Sequence, residues 1–173
     1  MQKNELISVE KIHIPRWSEL PNVDLYLDQI VTFINSSLSD FTFLNNGSND
    51  KKESQILTKT MINNYVKNKL IDAPEKKKYS KIQCAKIFVI CILKQVYSMN
   101  DIANLINIAL EDSDAQYAYD SFCNHFEQSL YCSYNKTDFS QIDLDNEKKY
   151  LLKSVLLSCS YKIYAQNYIS TLK

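Results

Sequence analysis

The chain has 173 residues, 45% of them hydrophobic, which suits one packed domain or a small domain with a helical extension and excludes a disordered chain. Basic and acidic residues balance at 20 each, which excludes a uniformly cationic nucleic-acid coat. One Gly and three Pro leave little turn chemistry for hairpins, so the expected fold class is mainly all-α.

Charge is unevenly placed along the chain. Thr58–Ser98 carries nine Lys against Asp72 and Glu75, a net +7. Met1–Leu57 has five basic and eight acidic residues, a net −3, and Met99–Lys173 has six and ten, a net −4. A cationic centre between acidic flanks is the footprint of a localised anion-binding surface. The longest apolar run, Ile87–Leu93, is too short to span a bilayer, and no signal peptide precedes it. A cytoplasmic protein without a membrane partner is expected. The five cysteines, Cys84, Cys91, Cys123, Cys132 and Cys159, form no CxxC pair and read as reduced core residues.

Residues 1–21 read as an extended lead-in, polar to Lys11, with Pro15, Arg16, Trp17 and Pro21 laying the single Trp on the core. Asn22 or Asp24 is then placed to cap a helix to about Leu38, with Leu27, Ile30, Val31, Ile34 and Leu38 on its inner face. Residues 39–57, with NNGSNDKKES at their centre, read as a loop insertion in which Phe41–Leu44 forms a short helical piece.

Thr58 caps the next helix, whose Ile62, Tyr65 and Val66 fall on one face. The opposite face holds Lys59, Thr60, Asn63, Asn64 and Lys67 with no acid among them. Pro74 blocks helical continuation, and Lys76, Lys77 and Lys78 follow in a basic loop. Ser80 caps a strongly apolar helix through Tyr97, and Ser98 opens another, with Asp101 completing a capping box. Glu111, Asp112 and Asp114 begin a fourth helix, with Tyr119, Phe122, Phe126 and Leu130 on its apolar face to about Tyr134. A loop over Asn135–Gln141 leads to a final helix from Asp143 or Asp145, carrying Leu152, Val155, Leu156, Cys159 and Ile163. These last two helices either pair two protomers or complete the monomer's own core.

Catalytic chemistry is not expected. His13 and His125 are isolated, no Cys/His/Asp spacing suits a zinc site, and Cys123 and His125 point away from each other on one helix. With Gly47 alone there is no Gly-rich phosphate cradle, so neither a metal nor a cofactor is expected.

The order of short Lys/Asn-faced helix, basic loop and buried helix resembles the winged helix-turn-helix domain of MerR-type regulators. The pieces that carry the resemblance are YVKNKLI (Tyr65–Ile71), KKKYS (Lys76–Ser80) and YSMNDI (Tyr97–Ile102). The chain departs from that pattern with Lys69 and Tyr97 where Gly is usual, with Lys in place of Arg in the wing, and with the long 39–57 insertion. A closer resemblance, carried also by IPRWSELPNVDLYLDQI (Ile14–Ile30) and TKTMINNYVKNKLI (Thr58–Ile71), is to a bacterial domain-of-unknown-function family, number eighteen thirty-six, usually regarded as MerR-like.

The resemblance implies a MerR-like domain over residues 22–110, followed by a helical extension over 111–173 for dimerisation or partner binding. It also implies a DNA-binding transcriptional regulator, acting on double-stranded DNA as a homodimer. The residues expected to touch DNA are Lys59, Thr60, Asn63, Asn64 and Lys67 in the major groove and Lys76, Lys77 and Lys78 on the backbone. The alternative is a non-catalytic interaction module, an adaptor or antirepressor, on the same scaffold.

Overall fold

The computed structural model describes residues 12–41, 55–137 and 146–172. The polar lead-in, most of the 39–57 insertion and both candidate caps Asp143 and Asp145 lie outside the described residues. A 3-10 turn (Trp17–Glu19) is followed by β1 (Leu25–Tyr26), α1 (Leu27–Ser37) and α2 (Lys59–Lys67). Then come β2 (Lys78–Tyr79), α3 (Lys81–Leu93), α4 (Met99–Glu111), α5 (Ala115–Asn135) and α6 (Glu147–Thr171). The fold is mainly all-α, and β1 and β2 form its one short antiparallel ladder among the described residues.

The helix α3 is the axis. After Lys86 it has no polar side chain up to its end, and a helix apolar all round has to be covered all round. Ile87, Phe88, Ile90, Cys91 and Ile92 are fully buried. Packed around it are α1, α4, α5 and α6, and their inward residues join it in one continuous core. An aromatic ladder crosses this core, with ring centroids 6.0 Å apart for Phe33–Phe88, 6.4 Å for Phe88–Tyr119 and 6.4 Å for Trp17–Tyr119. Val155, Leu156, Cys159 and Ile163 of α6 are buried in the same core as Phe126 and Leu130 of α5.

Local chemistry explains most helix starts. Thr58, Ser80, Ser98, Asp114 and Asn146 each accept from the third backbone N–H that follows. At Ser80 the box is complete, because Gln83 returns its Oε1 to the Ser80 N–H at 2.7 Å. At Ser98 only half of it forms, the Asp101 N–H donating to Ser98 Oγ at 3.2 Å, while the Ser98 hydroxyl donates to Asp101 Oδ2 at 2.6 Å.

Several boundaries differ from expectation: Glu111 still belongs to α4 and Asp112 closes it, so Asp114 alone caps α5, and three others have a clear local cause. The first helix opens at Leu27, not after Asn22 or Asp24, because Leu25 and Tyr26 are held extended against Tyr79 and Lys78. The freed Tyr26 N–H is taken by Gln29 Oε1 at 2.9 Å. α2 ends at Lys67, well before Pro74, since Lys69 turns left-handed at φ 57° and closes the helix. α3 stops at Leu93, short of Tyr97: the Gln95 and Val96 amides tighten onto the carbonyls three residues back, Ile92 and Leu93. Lys94 then turns its ammonium inward to the Ile56 carbonyl at 2.8 Å.

The segment around Arg16 is fastened to α5 through residues one turn apart. Arg16 donates from Nη1 and Nη2 to the two Glu127 oxygens at 2.8 and 2.5 Å, and from Nε to Asn124 Oδ1 at 3.0 Å. Glu127 also accepts the Ile14 N–H at 2.6 Å, Asp120 accepts the Trp17 N–H at 2.7 Å, and Tyr119 donates to the Pro15 carbonyl at 2.8 Å. The motif read from sequence as a way to park the Trp is therefore a polar clasp as well.

Burial fixes the cysteine chemistry. Desolvation pushes the thiols of Cys84, Cys123 and Cys159 up to about 12 and that of Cys91 up to about 11. At pH 8 the reactive thiolate is therefore scarce at these four, and Cys132 is the partly exposed one of the five. Native protein treated with iodoacetamide at pH 8 is expected to take up one label, at Cys132, and five after unfolding, as read by mass spectrometry. Fast native labelling of Cys84 or Cys91 is incompatible with α3 as the central helix.

Candidate nucleic-acid interface

α2 is amphipathic in the required sense. Ile62 and Tyr65 are buried, Val66 is half-buried, and Lys59, Thr60, Asn63, Asn64 and Lys67 are all exposed. The two asparagines are adjacent on the outward side, and Lys59 and Lys67 lie eight residues apart, about 12 Å along the axis. Asn35 on α1 secures the approach to this helix: its amide accepts from the Leu57 N–H at 3.1 Å and donates to the Leu57 carbonyl at 2.8 Å. The side chains of Phe41, Ile56 and Leu57 are buried, so both ends of the insertion are anchored in the core.

The two ends of α2 differ electrostatically. Lys59 sits in the first turn, where the helix dipole disfavours a cation, and Asp28 on α1 offsets it with an ion pair. That exposed pair contributes little stability but occupies the ammonium. Lys67 sits in the last turn, where the dipole favours it. Beyond it, Lys69 occupies the left-handed cap position: its N–H bonds the Val66 carbonyl at 3.0 Å and the Leu70 N–H bonds the Tyr65 carbonyl at 2.9 Å. Leu70 is buried and locks the closure. Lys69 was singled out in sequence only as a departure from Gly, and its exposed cation beside α2 was missed.

The three-lysine run divides. Glu75 and Lys78 face each other across a bridge, with the Lys78 N–H on the Glu75 carbonyl at 2.8 Å. Lys76 and Lys77 form the two-residue tip at φ 49° and 65°. Positive φ at both central residues is the signature of a type I′ hairpin turn, normally filled by Asn-Gly. Both tip lysines are exposed. Lys78 instead belongs to β2, is half-buried, and lays its ammonium over the Tyr26 ring at 5.0 Å.

Of the lysines behind the segment's positive charge, several are engaged. Lys81 bonds Asn22 at 2.7 Å and lies over Trp17, Lys86 faces Asp72 at 3.7 Å, and Lys94 is turned inward. Within Thr58–Ser98, the exposed cations without a partner among the described residues are Lys67, Lys69, Lys76 and Lys77. Contacts link the start of α2 to the base of the turn: Lys59 to Asp28, two residues past Tyr26, and Tyr26 to Lys78 in the ladder. Among the described residues no group of three or more His, Cys, Asp or Glu is arranged to hold a metal ion, and no helix is long and apolar enough to cross a membrane.

These features define a mainly helical domain that carries a cationic, amide-rich helix face and a two-lysine turn. The chain belongs to the family described as Domain of unknown function (DUF1836), whose model matches residues 15–126. That match runs from the Arg16 clasp to Phe126 of α5 and includes every residue of the candidate interface. Neither the curated proteins nor the solved structures gave a match.

Proposed function

We propose that the chain is a DNA-binding regulator that docks α2 in the major groove and rests the Lys76–Lys77 turn on the sugar-phosphate backbone. The observation that carries this reading is the pair of left-handed lysines at the tip, on a chain with little net charge. A non-Gly residue at such φ costs about 1–2 kcal/mol, so cations held there point to an anionic partner. The order of β1, α1, α2, tight hairpin and α3, with the returning strand on β1, supports a winged helix-turn-helix of the MerR kind. In this reading Asn63 and Asn64 meet adenine edges, Thr60 the adjoining backbone, and Lys67, Lys69, Lys76 and Lys77 phosphates, while Lys59 stays paired with Asp28. Lys78 braces the turn through Tyr26.

Anisotropy titration of duplex DNA over a salt series tests it. Four phosphate contacts predict a slope of about −3.6 in log K against log salt, less steep by roughly 0.9 for each lysine changed to Ala. Asn63→Ala or Asn64→Ala is expected to cost about 1–3 kcal/mol at a selected site and little on random duplex. No binding at low salt, or a slope indifferent to these lysines, removes the proposal.

One observation favours a second reading, an interaction module. α6 exposes Tyr161, Tyr168 and Ile169 although its other side is in the core. The same surface is where two-fold pairing of a DNA-binding protomer would form, and sedimentation of the purified chain distinguishes a dimer from a monomer awaiting another partner.

A further inference from the structure

A cavity of about 350 Å³ lies between α4, α5 and α6, with Leu93 of α3 at its inner end. Leu105, Phe122, Leu152 and Leu156 make its walls mainly apolar. A Leu/Ile/Phe-lined cavity of roughly 150 Å³ already takes benzene, and ligand sites commonly begin at roughly 300 Å³. The polar side chains on the walls are Ser113, Tyr117, Ser121, His125, Lys149 and Lys153. Both lysines already take part in interactions of their own, and Tyr117 is exposed. Ser113 lies in the turn before α5, which leaves Ser121 and His125 as the polar pair set on a helix wall.

Ser121 and His125 sit one turn apart on α5 and line the cavity together. His125 Nδ1 stands 2.7 Å from the Ser121 carbonyl, which can only accept, so the proton of the neutral ring is on Nδ1. Nε2, the ring nitrogen farther from the backbone, is then an acceptor, and it has no partner among the described residues. The Ser121 hydroxyl lies 3.2 Å from Nδ1, where it meets a proton and not a lone pair. Ser129 and Ser133 on the same helix donate to the carbonyls four residues back, at 2.7 and 2.8 Å. Ser121 makes no such bond among the described residues, so a spare donor stands beside a spare acceptor on an otherwise apolar wall.

We propose that this cavity binds a neutral, mainly apolar ring compound that carries one hydroxyl. The hydroxyl donates to His125 Nε2 and accepts from Ser121 Oγ, and the apolar body lies among Leu105, Phe122, Leu152 and Leu156. An analogue without the hydroxyl would shut that donor and acceptor away from water unpaired, so the site discriminates against it. Binding here is independent of DNA binding, since none of these residues belongs to α2 or the lysine turn.

The test is calorimetry on the full chain at pH 8 with 4-propylphenol and 4-propyltoluene, which differ by a hydroxyl against a methyl group. The phenol is expected to bind one to one and about tenfold tighter or more. His125→Phe, which keeps a ring and removes the acceptor, should bring the two ligands to within about threefold of each other. Ala109→Phe, which fills the cavity, should abolish binding of both. If either variant fails to fold by circular dichroism, His125→Leu and Ala118→Leu take their places. Equal affinity of the parent for phenol and toluene, or no binding of the phenol at millimolar concentration, overturns the proposal. So does an undiminished preference in a folded His125 variant, or undiminished binding by a folded, filled one.

Discussion

Glu127→Ala is expected to destabilise the protein by about 3 kcal/mol, lowering the melting temperature by roughly 10 °C for a chain of this size. The carboxylate accepts from both Arg16 Nη groups and the Ile14 N–H, and only about a fifth of the Arg16 and Glu127 side chains is exposed. Removing it leaves the Ile14 N–H and Arg16 Nη2 without their acceptor and a part-buried charge held only by the Ile14 carbonyl at 2.6 Å and Asn124 at 3.0 Å, which costs more than the pair's own attraction. Arg16→Ala should cost less, about 2 kcal/mol, because Glu127 keeps the Ile14 N–H. The double variant should fall short of the summed single losses by about 1–2 kcal/mol, as read from urea unfolding followed by circular dichroism at 222 nm. Losses that simply add, within about 0.5 kcal/mol, mean that the clasp is not a cooperative unit.

That clasp marks where the sequence stops being informative. α3 was legible because it is apolar on every side, and α2 because apolar and polar positions separate cleanly at helical spacing. Partners more than a hundred residues apart, such as Arg16 and Glu127, leave no local pattern. The two-residue strands were invisible for a different reason: a period of two needs several residues to declare itself. So Leu25 and Tyr26 were absorbed into the following helix, and the cap was sought at Asn22 and Asp24. In the candidate interface, the exposed face of α2 followed from its sequence, whereas the conformation of the lysine run did not. Lys strongly disfavours positive φ, so propensity argues against a hairpin tip at Lys76–Lys77 and against a helix closure at Lys69. Propensity is overridden there by the bridge from Glu75 to Lys78 and by the burial of Leu70.

The same override yields the second large effect. Replacing Lys76 with Asn and Lys77 with Gly installs the dipeptide that a type I′ turn prefers. Relief of two left-handed lysines, less the freedom Gly adds to the unfolded chain, should stabilise the protein by roughly 1–2 kcal/mol. DNA affinity should move the opposite way. A slope of about −0.9 per phosphate makes each contact worth roughly eightfold at 0.1 M salt relative to 1 M, so losing two weakens binding by about 60-fold. Lys76→Arg with Lys77→Arg keeps both charges and should keep the affinity, separating charge from turn shape. Urea unfolding and anisotropy titration on the three proteins give the result directly. A more stable Asn-Gly variant that binds DNA as tightly as the parent would mean that the turn is strained for some purpose other than nucleic acid. A variant that gains no stability would mean that the tip is not left-handed in solution. Stability rising while affinity falls is the signature expected of a turn whose lysines are kept for the partner they meet.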